Sequence, residues 1–182
     1  MARDEKSVQV RWVESLGGPL VVVPESALDA WSGSAGGGGP VDDYDRACAV
    51  EGLTGLLPVG PSDALVLADE PASTAWLAER GLFVRWSAAE SEEALLASVD
   101  AALLAACWDP EVIWQVPGPA VLFDAAWTGE ESGREEHVRI DLTAGRHAVR
   151  AAYVEPDPQT WLTLVQLRLV RSHGGADGFR RG

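Results

Sequence analysis

Residues 137–170 read HVRIDLTAGRHAVRAAYVEPDPQTWLTLVQLRLV and carry the strongest structural signal in the chain. Short apolar runs separated by turn residues are typical of antiparallel strands. Thr143-Ala144-Gly145-Arg146 is a tight connection, so 137–155 is predicted to form a hairpin. The same pattern begins further upstream and predicts five strands in all: 112–116, 120–125, 137–142, 147–155 and 160–170. The chain from 112 to 170 is therefore expected to be β-rich and antiparallel.

Upstream, from 8 to 107, predicted strands alternate with helices. Leu20-Val21-Val22-Val23 is an unbroken apolar run, which predicts a strand buried on both faces. The clearest helix is expected from Ser91 to Cys107, because Ser91 is a good N-cap and apolar residues recur behind it at spacings of three and four. Further strands are predicted at 8–13, 65–67 and 82–86, and shorter helices at 25–31, 42–48 and 72–80.

The predicted fold class is α+β, in a single domain that covers residues 1–170. It has a mixed N-terminal half (8–107) with short helices and one long helix, followed by an antiparallel β-rich half (112–170). A chain of 182 residues has the length of one ordinary domain and can bury enough surface to fold without a disulfide or a metal. Residues 171–182 lack apolar content and are predicted to be a disordered tail.

The chain is strongly acidic, with 28 Asp and Glu residues against 14 Lys and Arg and a formal net charge of −14. Proteins bind nucleic acids and anionic lipids mainly through Lys and Arg that meet phosphate, so this charge argues against both kinds of partner. It favours a basic protein, because opposite charge accelerates association. No apolar run could cross a bilayer and the first residues lack a signal-peptide core, so the expected compartment is the cytoplasm.

No motif in the sequence predicts catalysis, a cofactor or a metal ion. Cys48 and Cys107 form no CxxC pair, and the histidines lack metal-ligand spacing. The glycines at 36–39 are followed by proline where a P-loop requires Lys and then Ser or Thr. His147 is expected opposite Asp141 across the predicted hairpin, where a structural pair is the preferred interpretation. We therefore predict a protein that is not an enzyme.

Two acidic segments are predicted to contact a protein partner. In the first, Trp127 lies in polar turn sequence, and tryptophan is enriched among interface hot spots. Carboxylates follow it closely and would steer a basic partner: Glu130, Glu131, Glu135 and Glu136. The second segment contains Asp42, Asp43 and Asp45, for which capping of a short helix is the alternative interpretation. The tryptophans in strand patterns are instead predicted to lie in the core: Trp12, Trp86, Trp114 and Trp161.

The run Trp12-Val13-Glu14-Ser15-Leu16-Gly17-Gly18-Pro19-Leu20 resembles the opening of the bacterial immunity protein 21 family. The resemblance continues through Pro24, Trp31, Asp43-Tyr44-Asp45-Arg46-Ala47-Cys48 and Ala68-Asp69-Glu70-Pro71, and less distinctly through Phe83-Val84-Arg85-Trp86. The resemblance covers residues 10–87 well and the β-rich half loosely. It implies an immunity protein of a polymorphic toxin system, which protects the producing cell by binding a cognate toxin. The family brings no established catalytic residues, so the resemblance assigns no site.

Two other classes of function stay open on the sequence alone. One is a small hydrolase-like enzyme that uses Asp69, Glu70 and a histidine at a sheet edge. The other is a β-sandwich module that binds a small ligand. Turnover that is lost on mutation of Asp69 would identify the enzyme, and a ligand retained through purification would identify the module.

Overall fold

The computed structural model describes residues 10–35 and 41–171 and contains two antiparallel sheets. The strands are β1 (Trp12–Val13), β2 (Leu20–Pro24), β3 (Thr54–Val59), β4 (Ser62–Leu67), β5 (Thr74–Leu77), β6 (Leu82–Ala88), β7 (Val112–Val116), β8 (Ala120–Asp124), β9 (His137–Ile140), β10 (Gly145–Asp157) and β11 (Thr160–Leu169). The six-stranded sheet has the order β1-β5-β6-β11-β10-β7, and the five-stranded sheet has the order β3-β4-β2-β8-β9.

The main hydrophobic core lies between the inner faces of the two sheets. Leu65 and Leu122 of the five-stranded sheet share one buried cluster with Phe83, Trp114 and Val165 of the six-stranded sheet. The side chains of all five are fully buried. Burial of apolar surface between sheets is the dominant favourable term in a fold of this kind.

Helices cover the outer faces of both sheets. Helix α1 (Asp43–Cys48) and the 3-10 turn Glu25–Ala30 pack on the five-stranded sheet, where Ala27, Trp31 and Ala47 join a second buried cluster. Helix α2 (Glu92–Ala105) packs on the six-stranded sheet through Leu95, Val99 and Ala102. The Ser91 hydroxyl accepts the backbone N–H of Ala94 at 3.2 Å and so caps α2 as expected.

The structure combines helices with sheets, as expected, but strands dominate over its whole length. The five-stranded sheet combines β2, β3 and β4 from the first half of the chain with β8 and β9 from the second. The expected boundary between 8–107 and 112–170 therefore does not separate two structural parts. The strand β2 is buried at every position, in agreement with its unbroken apolar run.

The helix expected at 72–80 is wrong. Thr74–Leu77 forms a strand that pairs with both β1 and β6, and only Ala78–Arg80 forms a 3-10 turn, which ends at Gly81 with a φ of 57°. Pairing on both sides satisfies the backbone hydrogen bonds of this short segment, so tertiary context overrides its local helical pattern.

The hairpin expected over 137–155 is also wrong. The strands β9 and β10 belong to different sheets, and β10 pairs with β7 and β11 instead. His147 consequently does not pair with Asp141: its Nε2 lies 2.8 Å from the carbonyl oxygen of Thr143, while Asp141 pairs with Arg139. Most of the expected tail, 172–182, and the glycine-rich segment 36–40 lie outside the described residues.

Candidate partner-binding surface

One end of the sandwich collects connections that are far apart in the sequence. Leu20 pairs with both Leu67 and Asp124 in one sheet, and Val13 pairs with Thr74 in the other. The connections 14–19 and 68–73 therefore both run from one sheet to the other at the same end of the structure. The connections 49–53, 89–91 and 125–136 begin or end there as well, as does the tip of the β10–β11 hairpin. We call this region the acidic end.

Eleven exposed carboxylates lie in the segments of the acidic end: Glu14, Glu51, Asp69, Glu70, Glu90, Glu130, Glu131, Glu135, Glu136, Glu155 and Asp157. Within these described segments Arg134 is the single exposed basic residue, and it approaches Glu130 only to 4.0 Å. A surface of this kind produces a strongly negative local potential, because its charges have few counterparts to cancel them.

Three of the exposed arginines elsewhere on the surface have carboxylate partners of their own. Arg80 pairs with Asp100, Arg139 with both Glu25 and Asp141, and Arg168 with Glu111. These pairs largely neutralise one another, whereas the carboxylates of the acidic end are left almost uncompensated. The negative charge of the described residues is therefore concentrated at one end of the structure.

Two of the three aspartates expected to bind a partner in α1 have structural roles. The Asp42 carboxylate accepts the backbone N–H of Asp45 at 2.8 Å and caps the helix. Asp43 is buried, and its Oδ2 accepts both the backbone N–H of Ser32 at 2.8 Å and the Ser32 hydroxyl at 2.9 Å. Its Oδ1 accepts Arg46 at 2.6 Å. Asp45 is exposed, so it is the member of this group whose carboxylate is free to meet a partner.

The segment around Trp127 likewise contains both residues with structural roles and residues that are exposed. Trp127 is half-buried and packs against the cluster on the outer face of the five-stranded sheet. Glu131 accepts both the backbone N–H and the hydroxyl of Thr128, at 3.1 and 2.9 Å. These two hydrogen bonds lower the pKa of the Glu131 carboxyl. Glu136 accepts the backbone N–H of Glu14 at 3.1 Å, and Glu135 is exposed.

The segment 31–35 joins these two sequence-predicted sites. Its Gly33 carbonyl accepts the backbone N–H of Tyr44 in α1 at 3.1 Å. On its other side the Ser34 N–H donates to the carbonyl oxygen of Ala126 at 3.0 Å, and the Gly129 N–H donates to that of Trp31 at 3.0 Å. The structure thus places the α1 aspartates and the Trp127 segment side by side, although more than 80 residues separate them in the sequence.

We expect Asp43→Asn to lower the free energy of unfolding by about 1–2 kcal/mol, because an amide cannot accept all the hydrogen bonds that Asp43 accepts. The matched control is Asp45→Asn, since Asp45 belongs to the same helical turn and is exposed. This control should change stability by less than about 0.5 kcal/mol. Equal stability losses in urea unfolding of the two variants would contradict the assignment.

A small cleft at the acidic end is lined by residues from three of the stretches that carry the family resemblance. Its walls come from Gly17-Gly18-Pro19, from Ala47-Cys48 with Val50, and from Ala68, Asp69 and Pro71. A Cβ atom at Gly18 would lie 2.5 Å from the Tyr44 hydroxyl, so only glycine lets the Tyr44 ring approach this closely. The family model of Immunity protein 21 matches residues 11–160.

The chain belongs to the Immunity protein 21 family. The match includes all three segments that meet at the cleft, the whole five-stranded sheet and every strand of the six-stranded sheet except β11, of which it reaches only Thr160. The resemblance over residues 10–87 therefore extends through most of the β-rich half. No curated protein and no solved structure shows significant similarity to the chain.

The turn Asp69-Glu70, whose carboxylates the hydrolase alternative would use, is held in place by the buried guanidinium of Arg85. Arg85 is only 1% exposed and donates to the carbonyl oxygens of Ala68 and Glu70, the latter at 2.9 Å. Burial lowers the pKa of Arg85 to about 10, so it keeps its charge at neutral pH. Asp69 itself has a φ of 70°, and both carboxylates of the turn point away from the core into exposed positions.

The described residues contain no group of three or more His, Cys, Asp and Glu that could hold a metal ion. Within 10–35 and 41–171 no helix is both long and apolar enough to span a membrane. Trp161 differs from its expected place in the core: it is 41% exposed and lies near Tyr153, which is 40% exposed. The alternation of apolar and polar residues along the strand predicted that this face is buried, but a local pattern cannot show where the facing sheet ends.

Proposed function

We propose that this protein binds and neutralises a cognate bacterial toxin without catalysis, by covering a basic surface of that toxin with its acidic end. Family membership supports the role in immunity. The observation that carries the mode of binding is the segregation of eleven exposed carboxylates, with one exposed arginine among them, at one end of the sandwich. We place this interaction in the cytoplasm of the producing cell.

Charge of this kind acts first on the rate of association. Complementary potentials draw a basic partner toward the acidic end and orient it before contact, which raises the rate of association by an order of magnitude or more at low salt. The same charge repels nucleic acids and anionic membranes. Fast capture suits an inhibitor that must neutralise a toxin before the toxin acts.

The proposed contact residues differ in what they contribute. Glu130, Glu135 and Glu136 are exposed and supply charge, and Asp45 adds to it from α1. Trp127 supplies the exposed part of its ring. The remaining members of the proposed surface contribute mainly by holding its backbone in place: Asp42, Asp43 and Glu131.

The hydrolase alternative gains no support from the two histidines that the structure describes, His137 and His147. The ring nitrogen Nδ1 of His137 lies 2.8 Å from the carbonyl oxygen of Glu135, and His147 contacts the carbonyl of Thr143. Neither contact places an imidazole against a carboxylate, the arrangement that a His–carboxylate base requires.

The function is tested by co-expression with the product of the neighbouring toxin gene. We expect growth to be rescued and a complex to be recovered with a Kd in the nanomolar range or below, about −12 kcal/mol. Failure of every neighbouring toxin candidate to bind or to be neutralised would overturn the proposed function.

Replacing Glu130, Glu135 and Glu136 with Gln should slow association with that toxin about tenfold at low salt and flatten its salt dependence. A variant with the same change of charge away from the acidic end serves as the control: Glu79→Gln, Glu111→Gln and Asp141→Asn. Stopped-flow association rates at several salt concentrations make the comparison. Equal slowing in both variants would show that net charge matters and its position does not.

A further inference from the structure

The inner face of the six-stranded sheet carries two exposed aromatic rings at the acidic end. Strand alternation places Tyr153 on the same face as the buried residues Val149 and Ala151. Alternation along β11 likewise places Trp161 on the face of Thr163 and Val165, because the register shift beside it in the β11–β6 pairing arises from an extra residue on β6, Ser87. The sheet therefore continues beyond the region that the five-stranded sheet covers, and its inner face is exposed there.

The two rings are neighbours across β10 and β11. Tyr153 pairs directly with Thr163, and Trp161 lies two residues before Thr163 on β11, just past the pair of Val154 with Leu162 after which the β10–β11 register shifts. Diagonal neighbours of this kind are about 7–8 Å apart, within reach of aromatic side chains. Tyr153 and Trp161 therefore form one exposed platform, and we call it the aromatic platform.

Carboxylates surround the aromatic platform. The Tyr153 hydroxyl donates to Oε1 of Glu155 at 3.1 Å. Burial, this hydrogen bond and the nearby charges of Glu70 and Asp69 together raise the pKa of Tyr153. On the neighbouring strand β6, Arg85 pairs with Thr163. Its guanidinium is buried and donates to backbone carbonyl oxygens, so it does not neutralise these carboxylates at the surface.

Polar atoms beside the platform lack partners as well. The Oγ1 atom of Thr163 and the Nε atom of Arg85 are buried and form no hydrogen bond within the described residues. Buried polar atoms usually have hydrogen-bond partners, so the packing at this end of the sheet leaves two polar atoms unsatisfied.

The charge of the surroundings selects the kind of occupant. A second copy of this chain would bring two sets of carboxylates together, and a nucleic acid would add phosphates to them, so both are repelled. A protein segment rich in Lys and Arg meets complementary charge at the rim and aromatic faces at the centre, where cations bind favourably. Aromatic rings inside a polar rim are also the usual arrangement of an interface hot spot.

We propose that Tyr153 and Trp161 form the central anchor of the toxin interface and receive a Lys- or Arg-bearing segment of the toxin, flanked by Glu70 and Glu155. This inference rests on the proposed function and identifies the surface that performs it. Trp127 then lies on a flank of the same acidic end, where its packing against the outer cluster limits its contact area.

The test is the affinity of single variants for the purified product of the neighbouring toxin gene, measured by calorimetry or surface plasmon resonance. Trp161→Ala should raise the Kd about 30-fold or more, chiefly through faster dissociation. Trp161→Phe keeps an aromatic face and should stay within about threefold of wild type. Glu70→Gln with Glu155→Gln should mainly slow association.

Ile113→Ala is the matched control, since Ile113 is a large apolar residue of the same sheet, 43% exposed and outside the acidic end. It should leave the affinity unchanged. Thermal unfolding of each variant separates a loss of binding from a loss of folding. If wild type binds and Trp161→Ala binds equally well, the aromatic platform is not the anchor. If wild type itself binds no toxin, the proposed function fails instead.

Discussion

Trp114→Ala is expected to lower the free energy of unfolding by about 4 kcal/mol. Trp114 is fully buried between the two sheets, where it belongs to the main core cluster. Its indole Nε1 also donates to the carbonyl oxygen of Asp63 at 2.8 Å and so links β7 to β4 of the facing sheet. The substitution removes both the packing of the ring and this hydrogen bond, and it leaves a large cavity.

The measurement is urea or thermal unfolding. In a chain of this size 1 kcal/mol corresponds to a shift of about 2–4 °C, so the melting temperature should fall by roughly 10 °C. Trp161→Ala is the control from the same sheet, and it should cost less than about 1.5 kcal/mol because 41% of Trp161 is exposed. A loss below about 1.5 kcal/mol for Trp114→Ala would contradict its central place in the core.

Gly129→Ala is expected to cost about 3 kcal/mol or more. A Cβ atom at Gly129 would lie 1.8 Å from the carbonyl oxygen of Leu28, which is backbone and cannot move aside by a change of rotamer. The two segments would have to separate, and the hydrogen bond from the Gly129 N–H to the Trp31 carbonyl would be strained or lost. The Trp127 segment would shift with them, so affinity for the toxin should also fall.

Gly133→Ala tests this explanation from the same connection. A Cβ atom at Gly133 meets no other atom within 4 Å, so the change should be neutral within about 0.5 kcal/mol or slightly stabilising. Denaturant unfolding of Gly129→Ala and Gly133→Ala separates the stability lost through a clash with neighbouring atoms from the stability lost through replacement of a glycine. Similar losses in both would show that backbone freedom, and not contact with Leu28, is what this connection requires.

Local sequence patterns predicted the elements whose stability depends on nearby residues. The apolar run of β2 indicated a doubly buried strand, and Ser91 with its following apolar spacing indicated α2 to within two residues at either end. Short-range hydrogen bonds and side-chain burial decide such elements, so their evidence is present in the segment itself.

Patterns failed where the decisive partner is distant. The segment 72–80 contains residues compatible with a helix, but β1 and β6 recruit Thr74–Leu77 into a sheet. The connection after β9 has the composition of a hairpin turn, yet it carries the chain from one sheet to the other. Strand pairing is a long-range interaction, and local composition does not specify which strand will be the neighbour.

The sequence by itself determined the family, the net charge of −14 and the acidic segments around Asp42 and Trp127. Only the tertiary structure decided that these segments adjoin, that carboxylates from six separate stretches gather at one end, and that Trp161 reaches solvent there. Charge is a property of composition, whereas a surface arises when strand pairing brings distant connections together. The facing sheet covers only part of its partner, and its extent decides which aromatic residues stay exposed. No local sequence pattern specifies that extent.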